Sequence, residues 1–105
     1  MKNLSDTQHL MCSADYKERF IAEYWQVKLR RDSLHKMLIK WEAFIRQRQE
    51  WCIQKPLYIE EVLGFEPSCS YEVLKDQERL MEEYIHILEL RAAIEKIDLY
   101  AEIKD

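Results

Sequence analysis

Glycine occurs once and proline twice in 105 residues. A single glycine cannot build the backbone cradle that wraps a phosphate, so no glycine-rich nucleotide loop is present. So few turn formers, beside many Glu, Lys, Leu, Arg and Ile, leave an all-helical chain as the expectation. Cysteine occurs three times, at Cys12, Cys52 and Cys69. The number is odd and no CxxC or CxxH spacing exists, so neither a disulfide framework nor a zinc site is indicated. No metal and no cofactor is expected, and reduced thiols in a cytoplasm are the plain reading. No run of about 18 apolar residues is present, so no membrane span is expected. No apolar run follows a basic head at the N-terminus, so no signal peptide is expected either.

The usual signs of catalysis are also missing. His9, His35 and His86 are scattered, and no serine, cysteine or histidine sits in a nucleophile context. Glu60–Glu61 and Glu82–Glu83 are neighbours, and neighbours on a helix diverge rather than share one substrate atom. No enzymatic activity is expected.

What the chain does have is periodicity. Tyr16, Phe20, Tyr24, Val27, Arg31, Leu34, Leu38, Trp41, Ile45, Arg48 and Cys52 follow steps of three and four, which keeps them on one face of a long helix. The second such stretch is YEVLKDQERLMEEYIHILELRAAIEKI. Leu74, Met81 and Leu88 lie on one line, with Gln77, Tyr84 and Arg91 between them. Val73, Leu80, Ile87 and Ile94 flank one side, and Ile85 and Ala92 the other. Such a band needs a partner, because an isolated helix is marginal in water.

The predicted organisation is one helical domain over 13–99. It has a long helix over 14–53, a short helix over 57–63 and a long helix over 70–98. Residues 1–12 are read as a flexible arm or short helix, with Ser5 and Gln8 at capping-box spacing, and 100–105 as a tail. Ser13 or Asp15 caps the first long helix, Ser68 or Ser70 the second, and Gly64 stops the short one. The fold class is all-α: an antiparallel, coiled-coil-like two-helix hairpin with an inserted short helix. A chain this short has a limited core, so assembly into a helical-bundle homo-oligomer is expected.

The stripes fit an antiparallel register in which facing residue numbers sum to about 115. Trp41 then meets Leu74, Leu34 meets Met81 and Val27 meets Leu88. Arg31 faces Tyr84, Tyr24 faces Arg91, and Glu23 neutralises Arg91. Charge agrees: seven bases against two acids lie between Lys28 and Arg48, and ten acids against five bases from Glu72 onward.

Two segments look like those of a known family: DYKERFIAEYWQVKLRRDSLHKMLIKWEA (Asp15 to Ala43) and LGFEPSCSYEVLKDQERLMEEYIHILELRAAIEKIDL (Leu63 to Leu99). The chain resembles small helical proteins of tailed phages and prophages of gut Firmicutes, known by their relation to a gene of a crAss-like phage. Gln77, Met81, Tyr84 and Leu88 to Ala92 match the core of that family's second helix, and Lys40 to Ala43 the end of its first. Residues 44–62 depart from the family as an insertion. The resemblance implies a phage protein in the host bacterial cytoplasm and a two-helix unit, and it implies no reaction.

Three kinds of partner are read from the residues. A host protein is the first: Trp25, Phe44, Arg48, Trp51, Ile53, Tyr58 and Ile59 form an aromatic and charged set of the kind that dominates interfaces. On that reading the chain is an anti-defence protein that inhibits a host factor by occlusion. A sponge for a signalling nucleotide is the second. Arg31 and Arg91 would hold phosphate while Tyr24, Tyr84 and Gln77 flank the base; the bland alternative is that these five only set helix register. A structural or assembly role in the virion is the third. Nucleic acid is not the expected partner, because the basic first helix already has an acidic second helix to pair with.

Overall fold

The computed structural model describes residues 3–49 and 58–100. Four helices follow one another: α1 (Ser5–Met11), α2 (Tyr16–Gln49), α3 (Ile59–Leu63) and α4 (Tyr71–Glu95). The all-α expectation holds, with two long helices as its main elements.

The helix ends follow from local chemistry. Before α1, the side chains of Asn3 and Asp6 each accept the other's backbone N–H, at 3.1 and 3.2 Å. This reciprocal pair, not Ser5 and Gln8, does the work of a capping box. Asp15 starts α2 by accepting the Lys17 N–H at 2.9 Å, and Ser70 starts α4 by accepting the Val73 N–H at 3.3 Å. Gly64 closes α3 at φ 82°, where a side chain would be strained.

The second long helix stops at Glu95, short of the expected residue 98. Lys96 takes the left-handed conformation at φ 59°, and the Ile97 N–H reaches back to the Ala92 carbonyl at 2.8 Å. That is the bonding of a Schellman stop, made here without glycine. The chain then turns inward, burying Ile97 and Leu99.

The chain divides into two compact units, one of residues 1–31 with 80–105 and one of residues 32–79. In the first, Phe20, Ile21 and Tyr24 of α2 pack with Ile85, Leu88 and Ala92 of α4 and with Ile97 and Leu99 beyond it. Trp25 and Val27 lie against the same cluster. Val27 and Leu88 thus share one core, as the antiparallel pairing requires. α1 is held to this unit through Thr7, whose hydroxyl donates to the Leu4 carbonyl and accepts from Gln26 Nε2 at 3.1 Å.

The register differs from the expected one. Arg31 meets Glu82, and Arg91 lies on Phe20 and Tyr16 rather than Tyr24. Glu23 accepts from Tyr84 instead of neutralising Arg91, a role taken by Glu95. The expected apolar band is covered on one side only: Leu80, Ile87 and Ile94 are left in the open while Ile85, Leu88 and Ala92 are buried. One neighbouring helix covers roughly a 100° arc of its partner, and that arc falls on the Ile85–Ala92 side.

In the second unit Leu38 and Phe44 are buried, and the rings of Trp41 and Tyr71 meet edge to face at 5.7 Å. Trp41 therefore meets Tyr71, three residues before the expected Leu74. Glu78 is a buried acid in this unit, with His35 Nδ1 at 2.7 Å and Lys75 Nζ at 3.1 Å. Burial alone would raise the Glu78 carboxyl. The bonds to His35 and Lys75 outweigh it and hold the group below its ordinary 4.5. A carboxyl depressed in the folded state stabilises the fold at every pH above the unfolded value. That contribution is lost as the pH falls through the folded value. Circular-dichroism melting at successively lower pH is expected to show wild type losing melting temperature below about 4.5 more steeply than Glu78→Gln.

Candidate functional site

The first unit places cations against rings and phenol hydroxyls. Tyr24, Trp25 and Lys28 come from adjacent turns of α2. Spacing of four residues stacks Lys28 over Tyr24 on one face. The segment after Lys96 completes the group. Leu99 offers its carbonyl to Trp25 Nε1 at 2.7 Å, and the Tyr100 ring stands edge-on to Trp25 at 5.4 Å. Lys28 Nζ lies 3.3 Å from both the Tyr24 and Tyr100 hydroxyls, which are themselves 3.3 Å apart. The same ammonium is 5.5 to 5.7 Å from the ring centroids of Tyr24, Trp25 and Tyr100, within cation–π reach.

Electrostatics separate the two phenols. Burial, then the hydrogen bond to Tyr100, pushes Tyr24 up to about 12. The bonds to Tyr24 and Lys28 bring Tyr100 below its ordinary value. Burial would lower the Lys28 ammonium, and the two phenols more than restore it. Lys28 is therefore a cation at any physiological pH.

Two further cations line the same unit. Arg91 donates to the Tyr16 hydroxyl at 2.6 Å and to Glu95 at 3.3 Å, with its guanidinium 4.9 Å from the Phe20 ring centroid. Tyr16 also donates to Glu95, at 3.0 Å. Arg31 places two nitrogens on one Glu82 oxygen, at 2.6 and 3.2 Å. Tyr84 donates to Glu23, and this bond, followed by burial, raises its phenol.

Of the five residues expected to hold an anionic ligand, Arg31, Arg91, Tyr24 and Tyr84 all lie in this unit, and Tyr24 is fully buried. Gln77 belongs to the other unit and is exposed. Periodicity does not reveal Lys28 and Tyr100 as members. The only available signal was the aromatic pair Tyr24–Trp25 one turn before a lysine.

The residues expected to meet a protein partner scatter. Trp25 is bonded into the chain's own packing and Phe44 is buried, so neither offers a free surface. Tyr58 is 62% exposed and Ile59 half-buried. Arg48 lies on α2. Trp51 and Ile53 fall outside the described residues. Among the described residues no group of three or more His, Cys, Asp or Glu is placed to hold a metal ion. No helix among them is long and apolar enough to cross a membrane.

A family model described as Sequestin matches residues 14–60 and 55–94. No curated protein matches, and no solved structure matches.

Proposed function

The chain belongs to the Sequestin family, and we propose on that basis that it works by sequestration, holding a ligand out of circulation by stoichiometric binding without turnover. The ligand we favour is a small signalling nucleotide. The observation that carries this choice is Lys28 held among the rings of Tyr24, Trp25 and Tyr100 and two phenol hydroxyls, with Arg31 and Arg91 in the same unit. Ammonium and guanidinium groups suit phosphate, and exposed rings suit a base.

Occlusion of a host protein has less support. Two of its seven expected contact residues, Trp25 and Phe44, are spent on internal packing. We carry over the phage setting from the family resemblance. The protein would then act in the cytoplasm of an infected bacterium, as an anti-defence factor that lowers the free concentration of a signal. The experiment is a pull-down of the full chain from infected cells, with mass spectrometry of small molecules and proteins. A bound nucleotide in near-stoichiometric amount is the expected result. A host enzyme or virions in its place would overturn the reading.

A sponge gains from self-association, and α4 has a surface for it. Leu80, Ile87 and Ile94 recur at the strict seven-residue spacing that suits pairing with another helix, and they are 55%, 49% and 78% exposed. We infer that a second copy covers this line, beside Leu90. Ile87→Glu would place a charge at its centre, so light scattering is expected to show an oligomer for wild type and a monomer for the variant. A wild-type monomer at working concentration would remove this part of the proposal.

A further inference from the structure

Arg31 and Arg91 are the cations that periodicity singles out, yet both already have acids. Glu82 lies 2.6 Å from Arg31, and Glu95 lies 3.3 Å from Arg91. Each arginine would have to give up or share that carboxylate to receive an anion. Lys28 differs. Among the described residues its partners are two phenol hydroxyls and three rings, with no carboxylate. Glu89 acts on Tyr24 and Tyr100 through its charge alone.

Access is one-sided. Tyr24 has no exposed surface while Tyr100 is 64% exposed, so an incoming group meets the ammonium beside the Tyr100 hydroxyl. That hydroxyl lies within 3.3 Å of both the Tyr24 hydroxyl and the Lys28 ammonium. A phosphate oxygen there can accept from an ammonium N–H and a phenol O–H together, two donors of the charge-assisted kind. The edge-to-face contact with Trp25 fixes the Tyr100 ring beside the lysine.

We propose that Lys28 and the Tyr100 hydroxyl form the seat for a phosphate group of the bound ligand. This assignment rests on the nucleotide reading for the ligand's identity but not for the seat itself. Arg31 and Arg91 stay with their carboxylates and hold the two helices in register.

Isothermal titration calorimetry of the full chain tests it, with inorganic pyrophosphate and ADP-ribose as separate probes. The variants are Lys28→Met, Tyr100→Phe and Lys36→Met, the last an exposed lysine that controls for net charge. Wild type is expected to bind pyrophosphate. Lys28→Met is expected to weaken that binding about tenfold, the loss of one charge-assisted contact. Tyr100→Phe is expected to weaken it by a smaller factor, and Lys36→Met to leave it unchanged. Tyr100→Phe keeps the ring and the core and removes one hydroxyl, bonded to Tyr24 and Lys28, so it decides the matter should Lys28→Met fail to fold. Pyrophosphate affinity that is absent in wild type, or untouched by both Lys28→Met and Tyr100→Phe, would overturn the seat. ADP-ribose bound equally by wild type and both variants would also overturn it and leave the nucleotide reading standing. Pyrophosphate bound through Lys28 with no binding of ADP-ribose would keep the seat and count against that reading.

Discussion

Leu88→Ala is expected to cost the fold about 3 kcal/mol, within the range of buried Leu→Ala changes. Leu88 has no exposed surface and sits in the cluster that joins α2, α4 and the segment after Lys96. The cavity would open between Phe20, Tyr24, Ile85 and Ala92, residues fixed on helices that cannot collapse inward freely. Domains of this size are stable by about 5–15 kcal/mol, so the change removes a large share. The melting temperature should fall by about 15 °C, at 4–8 °C for each kcal/mol. Val73→Ala, at a position 56% exposed, should stay within about 0.5 kcal/mol. Equal costs for the two would mean that α4 buries a different face.

Trp25→Ala is expected to cost about 2–3 kcal/mol, the lower end for large aromatic truncations because the indole is only partly buried. Three losses combine: packing against the core, the edge contact with Tyr100, and the hydrogen bond to the Leu99 carbonyl. An unpaired carbonyl beside buried Leu99 accounts for about 1–3 kcal/mol of this if water cannot reach it. The loss should be local as well as global. Hydrogen exchange at the Ile97 amide, bonded to the Ala92 carbonyl, should quicken in Trp25→Ala more than exchange in the middle of α4. Trp25→Phe should restore the packing but not the bond, and so recover about half the stability. Unchanged protection at Ile97 would show that the segment after Lys96 is held by Ile97 and Leu99 alone.

The pairing of the two long helices is legible in the sequence because spacing of three and four residues fixes which face of a helix is apolar. Val27 and Leu88 follow from that spacing, and they share a core. The axial offset does not follow from spacing. A helix slid by one turn keeps the same face forward, and only particular contacts, such as Arg31 with Glu82, choose between the offsets. The expected pairing of Tyr24 with Arg91 failed for that reason.

The site was legible in part. Four of its named residues lie in one unit, but the two with the least competition for an anion, Lys28 and Tyr100, carry no periodic signal. Tyr100 belongs to a segment that reads as tail. It becomes structural only because Lys96 adopts a conformation usually left to glycine, which no propensity anticipates. Glu78 was hidden in the same way: an acid on a helix reads as solvent-facing until its two neighbours, His35 and Lys75, are known.

Partners of the first unit lie far apart along the chain. Tyr16 and Glu95 are 79 residues apart, Tyr24 and Tyr100 are 76, and Trp25 and Leu99 are 74. Residues 32–79 are contiguous, so the contacts of that unit span less of the chain. Phe20, Tyr24 and Trp25 must instead wait for the later helix, several seconds at synthesis rates on the order of 5–20 residues per second. Over that interval an aromatic face stays uncovered on the nascent polypeptide, and contacts of such long sequence separation are the slower ones to form.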